Sequence, residues 1–281
     1  VEARPSAGST QIEDFVGDVR ESAVWERALA GVDIVFHFAA QTSVYVANKD
    51  VRADLEANVV PMLHLLEVCH QQRIEPVIMF SGTVTQSGIP QRLPVDESHP
   101  DQPVTTYDLH KLMAENYLKY YVQQGLVRGA SLRLANVYGP GPKSSSADRG
   151  VLNMMVRRAL AGEAITVYGQ GEQLRDYVFI DDVARAFAVA AASIARTNGL
   201  HFVIGSGTGH TIAEAMSIVS QRVAMQTGVE VAIEHVAAPL PQSPIEARNF
   251  VADTRRFSEL TGWRARVLLA EGIDRTIEAN G

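Results

Sequence analysis

The sequence predicts an α/β protein: a doubly wound parallel sheet with a smaller α/β domain attached. Two observations carry this. Short apolar runs rich in valine, isoleucine and phenylalanine alternate with longer stretches whose apolar residues recur at helical spacing. The strand-like runs are almost continuously apolar, as strands covered on both faces are, and strands separated by helices pair in parallel.

Residues 33–38 read as a short buried strand opening on Ala39-Ala40. Residues 51–72 read as mainly one helix, with Leu55, Val59, Met62, Leu63, Leu66 and Cys69 along one stripe. The next strand is 77–80, ending at Ser81-Gly82-Thr83, and the proline-rich stretch 86–104 reads as a loop. Thr105 or Thr106 opens a helix that continues to residue 124. A strand at 130–134, a loop at 140–149, a helix at 151–161 and a short strand at 165–168 follow. Residues 177–180 form a strand and 183–195 an alanine-rich helix, and 200–204, 212–227 and 231–236 continue the alternation. Gly205-Ser206-Gly207-Thr208-Gly209 comes late and reads as a turn. In open parallel sheets ligands gather at the carboxyl ends of strands, the edge on which Thr83 and Asn136 fall.

Bulk composition narrows the function. With 46% hydrophobic and 20% charged residues, the 281-residue chain is ordinary for a globular protein. A net charge of −7 supplies no basic excess for nucleic-acid phosphates. The single cysteine, Cys69, lies in an apolar run and reads as core, which implies a reducing compartment and a cytoplasmic location. No apolar run reaches membrane-spanning length. His37, His110 and His210 do not form a zinc-like cluster and read as structural or surface residues, so no metal is expected.

The chemistry concentrates in one constellation. Tyr107 follows Thr83 by twenty-four residues, and Lys111 lies four beyond the tyrosine. On a helix that spacing puts Tyr107 and Lys111 on one face. The ammonium favours the phenolate, a competent base for an alcohol proton when a hydroxyl such as that of Thr83 holds the alcohol. A half-buried tyrosine beside a surface lysine is the competing structural reading.

Six runs frame these residues in order: Gly17-Asp18-Val19-Arg20, His37-Phe38-Ala39-Ala40-Gln41, Phe80-Ser81-Gly82-Thr83, Tyr107-Asp108-Leu109-His110-Lys111, the run from Leu132 to Gly141, and the run from Arg175 to Val183. Together they resemble the extended short-chain dehydrogenase/reductase family, specifically its NAD-dependent sugar-nucleotide epimerases and dehydratases of UDP-glucose 4-epimerase type. The resemblance implies a Rossmann-like sheet domain, 1–139 with 170–204, and a substrate domain, 140–169 with 205–281. The family opens on a strand and glycine-rich turn beneath the dinucleotide pyrophosphate. No such turn precedes residue 33, so the chain reads as cut at its front, short of about forty residues of that unit.

The resemblance also implies roles. Asp18 and Val19 would meet adenine, with a helix N-cap as the alternative for Asp18. Phe38, Ala39 and Ala40 would line the pyrophosphate and ribose, or serve as plain core. Asn58 would support the active site from the neighbouring helix, or be an exposed helical asparagine. Asn136 would hold the diphosphate or sugar. Leu152, Thr166 and Tyr168 would line the nucleobase pocket or simply pack, and Arg175 would clamp the diphosphate or form a surface ion pair. The family's late nucleotide-binding arginine would fall near Ser243, which cannot supply a guanidinium; Arg248 is the nearby substitute.

Val84 and Thr85 stand where dehydratases carry an Asp-Glu pair, and neither can eliminate water. That leaves C4 epimerisation through a 4-keto intermediate, or reduction of a keto-sugar nucleotide by the same three residues. A binding protein or an inert fragment of the fold is a further alternative. NAD is the expected cofactor with NADP open, and a UDP-sugar or other nucleotide-sugar the expected substrate. A homodimer is expected through the helices around 58–72 and 107–124, where Met113, Tyr117, Tyr120 and Tyr121 offer apolar surface.

Overall fold

The computed structural model describes residues 12–141, 150–238 and 243–280. Four strands form the main sheet: β1 (Ile34–His37), β2 (Val77–Thr83), β3 (Arg128–Leu134) and β7 (His201–Ile204), in the order β1-β2-β3-β7. All three pairings are parallel, with Thr83 opposite Leu134 and Leu134 opposite Ile204. The sheet is covered on both faces, and β2 shows how. Ile78 and Phe80 pack with Trp25, Met62, Leu66 and Leu118, whereas Val77 and Met79 pack with Leu132, Phe187 and Phe202. This is the two-residue period of a strand between two apolar layers.

The remaining strands build the smaller part. β4 (Asn136–Tyr138) runs parallel to β6 (Leu174–Phe179), which pairs antiparallel with β8 (Gly209–Thr211). β5 (Ile165–Tyr168) lies parallel to β9 (Ile233–Val236). Their core joins Leu152, Met155, Ile165, Val167, Met216, Val219, Ile273 and Ile277. Phe250, Phe257 and Trp263, although late in the chain, pack instead into the main-sheet core with Phe202 and Phe187.

Local chemistry sets the boundaries. The expected helix over 51–72 is two helices, Val51–Asn58 and Val60–Gln72. Pro61 falls at the start of the second, and without an N–H it cannot continue the first helix's ladder. The helix Thr106–Gln123 opens where Thr105 accepts from the Asp108 N–H at 3.2 Å. Gly272, on the helix Leu269–Glu278, lets that helix pack against Tyr138: a Cβ there would collide with the tyrosine hydroxyl. The same hydroxyl donates to the Leu269 carbonyl at 3.3 Å. Among the described residues, no helix is long and apolar enough to cross a membrane, and no group of three metal-ligating side chains converges.

Candidate active site

Thr83 ends β2 and starts a 3₁₀ helix, Val84–Ser87, as its N-cap. Its Oγ1 lies 2.9 Å from Thr85 Oγ1 and accepts from the Thr85 N–H at 3.3 Å. Its own N–H donates to Gln86 Oε1 at 2.9 Å, and Gln86 passes the connection on to Glu115 at 3.1 Å. The hydroxyl at the sheet's carboxyl edge is thus held from below by a rigid turn.

The helix Thr106–Gln123 packs across this turn. Tyr107 is half-buried in its first turn, and Lys111 is buried one turn on. Lys111 Nζ sits 4.2 Å over the Phe80 ring, so it faces β2 just below Thr83. No carboxylate among the described residues bonds to it. Burial pushes its ammonium down to about 7, against the opposing charges of Glu115 and Asp54. Beside it His37 is kept neutral, pushed to about 3 by burial and by the Lys111 charge.

Beneath this lies a saturated network. Glu115 accepts from Arg133 at 3.0 and 2.6 Å and from Lys119 at 2.5 Å, and Arg133 reaches Asp101 at 2.5 Å. Burial alone would raise Glu115, but Arg133 and Lys119 outweigh it and hold the carboxyl at about 2.

On the expected cofactor side, Asn58 is buried rather than an exposed helical asparagine. Its Nδ2 donates to the Gln41 carbonyl at 3.0 Å and to Asp54 at 2.9 Å, fixing the segment after β1. Asp54 also receives Gln41 at 2.6 Å and pairs with His110 at 2.6 Å. His110 therefore ties the Lys111 helix to Val51–Asn58, a role that sequence spacing did not reveal. Phe38 is 56% exposed at the end of β1, stacked on Phe36 and edge-on to Phe187, and Ala39 beside it is exposed while Ala40 is half-buried. The Asn58 Oδ1 is buried without a partner among the described residues. The buried Lys111 ammonium, the unpartnered Asn58 Oδ1 and the exposed Phe38 and Ala39 are polar and open groups on the side where the sequence predicts the cofactor; no described residue supplies a glycine-rich pyrophosphate turn. Asp18 is folded onto Arg20, at 2.6 Å, which holds its carboxyl at about 2, while the Val19 carbonyl receives the Trp25 indole N–H at 2.8 Å.

On the expected substrate side, Asn136 opens β4 with its Oδ1 buried and unpartnered among the described residues. Arg175, buried on β6, points its fork at backbone: Nη1 donates to the Arg248 carbonyl at 2.5 Å and Nη2 to that of Glu246 at 2.8 Å. Arg248 is buried beside it, with Nη1 on the Ile245 carbonyl at 3.0 Å and no described partner for Nε. Burial, then the Arg175 charge, lowers Arg248 to about 10. Ser243, near which the resemblance would place a late arginine, is buried, and its Oγ likewise has no described partner. Leu152 sits in the small core, Thr166 Oγ1 receives Arg158 at 3.4 Å, and Tyr168 is 56% exposed on β5.

Comparison with known proteins shows the family and the fold. Residues 1–205 match the family described as NAD dependent epimerase/dehydratase. The UDP-glucose 4-epimerase of Mycolicibacterium smegmatis is 30% identical over 246 residues, covering 88% of this chain and 75% of that protein. The crystal structure of UDP-glucose 4-epimerase with UDP-glucose from Thermotoga maritima superposes with a TM-score of 0.83 at 28% identity, covering 94% of this chain and 82% of the other. The Thermus thermophilus UDP-glucose 4-epimerase in complex with NAD gives 0.81 at 30%, covering 94% and 83%. A parallel sheet carrying threonine, tyrosine and lysine at this spacing, with a family match over residues 1–205, makes the chain a member of the NAD-dependent epimerase/dehydratase family.

Proposed function

We propose that this protein epimerises a UDP-sugar at C4 through a 4-keto intermediate, using NAD. The observation that carries the reading is Lys111: a buried ammonium over Phe80, with no bonded carboxylate among the described residues, one helical turn from Tyr107. Its charge favours the Tyr107 phenolate, which takes the C4 hydroxyl proton while Thr83 holds the reacting oxygen. NAD, when bound, supplies the acceptor for the C4 hydride and returns it, so no net oxidation results. The planar keto-sugar then turns over in the pocket, so that C4 is reduced on its opposite face, and Tyr107 returns the proton to the oxygen beside Thr83. Val84 and Thr85 offer no carboxylate for dehydration.

Arg175 and Arg248 are two buried guanidinium groups beside Glu246 and Asp108, and the unpartnered Arg248 Nε is the donor left for a diphosphate oxygen. Asn136 would bind the sugar or diphosphate. Leu152, Thr166 and Tyr168 would form the base pocket; Asp18, Val19 and Phe38 to Ala40 would serve the dinucleotide. The division into a dinucleotide part, 1–139 with 170–204, and a substrate part, 140–169 with 205–281, belongs to the same reading, with Phe250 to Trp263 lent to the first core. We place the enzyme in the cytoplasm, as its lone cysteine is buried and reduced, and as a homodimer through the exposed Tyr117 and Tyr120.

The test is calorimetric titration of NAD into the 281-residue chain, then conversion of UDP-glucose to UDP-galactose. Micromolar NAD binding is expected, and Tyr107→Phe is expected to lower kcat by about 10²–10⁴-fold with the fold intact. Stoichiometric consumption of NADH with a keto-sugar nucleotide, without interconversion of the two hexoses, would replace epimerisation by reduction.

A further inference from the structure

Asp54 is buried one helical turn before Asn58, and three side chains converge on its carboxylate. Gln41 Nε2 at 2.6 Å and Asn58 Nδ2 at 2.9 Å reach Oδ1, and His110 Nδ1 stands 2.6 Å from Oδ2. Each amide end that touches Asp54 also touches a backbone carbonyl, that of Ser43 at 2.8 Å for Gln41 and that of Gln41 at 3.0 Å for Asn58. A carbonyl accepts only, so both amides turn their nitrogen to Asp54. Gln41 is settled a second time at its other end, where Oε1 accepts the Ser43 N–H. His110 completes the set by giving its Nδ1–H to Oδ2.

The consequence falls on Asn58. Both hydrogens of its Nδ2 are engaged, so its Oδ1 points away from Gln41 and Asp54. That oxygen is buried and has no partner among the described residues. Turning the amide over would press its oxygen on two acceptors, so Asp54 fixes which atom faces outward. Gln41 itself follows Phe38 to Ala40 beyond the carboxyl end of β1, the edge where ligands of parallel sheets gather. A tie between two helices would need the His110–Asp54 pair alone. It would not need two amides aimed at the same oxygen, nor a buried acceptor left over.

We propose that Asp54, held by His110, is a positioning residue for the cofactor: it locks Asn58 so that the side-chain oxygen, and not the nitrogen, meets a hydrogen-bond donor of the dinucleotide. This rests on the reading of NAD as the cofactor. The nicotinamide riboside end of NAD carries such donors, its ribose hydroxyls and its carboxamide N–H groups, whereas the pyrophosphate offers acceptors. No proton changes hands in this role, since Asp54 accepts throughout. His110 joins the same carboxylate to the helix of Tyr107 and Lys111, so one buried group sets both the cofactor contact and the helix of the base.

The test has two arms. In the unliganded protein, nitrogen-15 NMR reads the His110 ring and the Asn58 amide, with His110→Asn and Asn58→Leu identifying the signals. The His110 Nδ1 is expected to carry a proton, and the Asn58 amide protons to exchange at least about a hundredfold more slowly than exposed ones, a protection lost in Asp54→Asn. A ring protonated at Nε2 alone, or an Asn58 amide that exchanges freely, overturns the proposal. In the second arm NAD is titrated calorimetrically into wild type, Asp54→Asn, Asn58→Leu and the double variant. Asp54→Asn offers Asn58 a donor in place of an acceptor and is expected to weaken NAD about tenfold, with no further loss when Asn58→Leu is already present. Losses that multiply, or a lower Tm with NAD affinity unchanged, would reduce the pair to a structural tie. His110→Asn, whose Nδ2 can stand in for the ring Nδ1–H, is expected to keep more affinity than His110→Leu, and the reverse order contradicts the assignment. If the wild-type chain binds no NAD, the cofactor reading fails and the ligand assigned to Asn58 falls with it, while the amide orientation stands or falls on the first arm.

Discussion

The two halves of the helix Thr106–Gln123 stand in opposite polar surroundings. In the later half, Glu115 and Arg133 are buried and fully engaged, with Gln86, Lys119 and Asp101 completing the set. Around the first turn, both Asp108 oxygens and the Nε of Arg248 are buried without partners among the described residues, and so, on β4 and at 243 beyond it, are Asn136 Oδ1 and Ser243 Oγ. A buried polar atom left unpaired costs about 1–3 kcal/mol. The first region has the form of a scaffold, its charges neutralised within the chain. The second is held at a loss in the unliganded protein, and a polar ligand that offers donors to the Asp108 and Asn136 oxygens and an acceptor to the Arg248 Nε is what would complete it.

This contrast can be broken most forcefully at Glu115. Glu115→Ala leaves the buried Arg133 with Asp101 alone and Lys119 without its carboxylate, and is expected to destabilise by about 3–5 kcal/mol in urea unfolding. A loss below about 1 kcal/mol would mean that the network is not scaffold.

Lys111 gives a smaller effect of opposite sign. Its folded value of about 7 lies below the usual 10.5, so between those values the unfolded chain holds a proton that the folded chain lacks. The penalty is largest below pH 7 and is relieved as pH rises towards 10.5. Lys111→Met is therefore expected to abolish epimerisation yet stabilise the apo fold by about 1–3 kcal/mol at pH 6, the gain fading in alkali. Thermal unfolding across pH would show it; a variant less stable than wild type at pH 6 would contradict the assignment. Smallest of all, Asn136→Leu is expected to change stability by less than about 1 kcal/mol while weakening UDP binding about tenfold, read by calorimetry. A large destabilisation would move Asn136 into the scaffold class.

Much of this was legible in the sequence. The apolar runs gave away the four parallel strands, and the spacing of Tyr107 and Lys111 gave their shared helix face. The two shortest strands were not legible: Asn136–Tyr138 and Gly209–Thr211 are three residues long, too short for any period to emerge. The start of β6 was hidden because the charged Arg175 and Asp176 interrupt its apolar run. They are buried because backbone carbonyls receive the arginine while the N–H groups of Ser206, Gly207 and Ala252 serve the aspartate. Asp108 and the His110–Asp54 pair were missed for a related reason. Nothing in a linear pattern distinguishes a buried polar residue from a solvated one when its partner lies far along the chain.

Gly272 carries a consequence for reading natural variants of this protein. Its missing side chain is the clearance that lets the last helix press on Tyr138, two residues past Asn136 on the same short strand. A methyl group there must displace either the helix or the tyrosine, and the displacement would arrive at the sugar side as a shift in Asn136. Such a change would surface in a screen as poor substrate affinity, although no altered atom meets a reactant. Variants sorted by their distance from the chemistry would file it as neutral, and the fold would have delivered the damage from the far end of the chain.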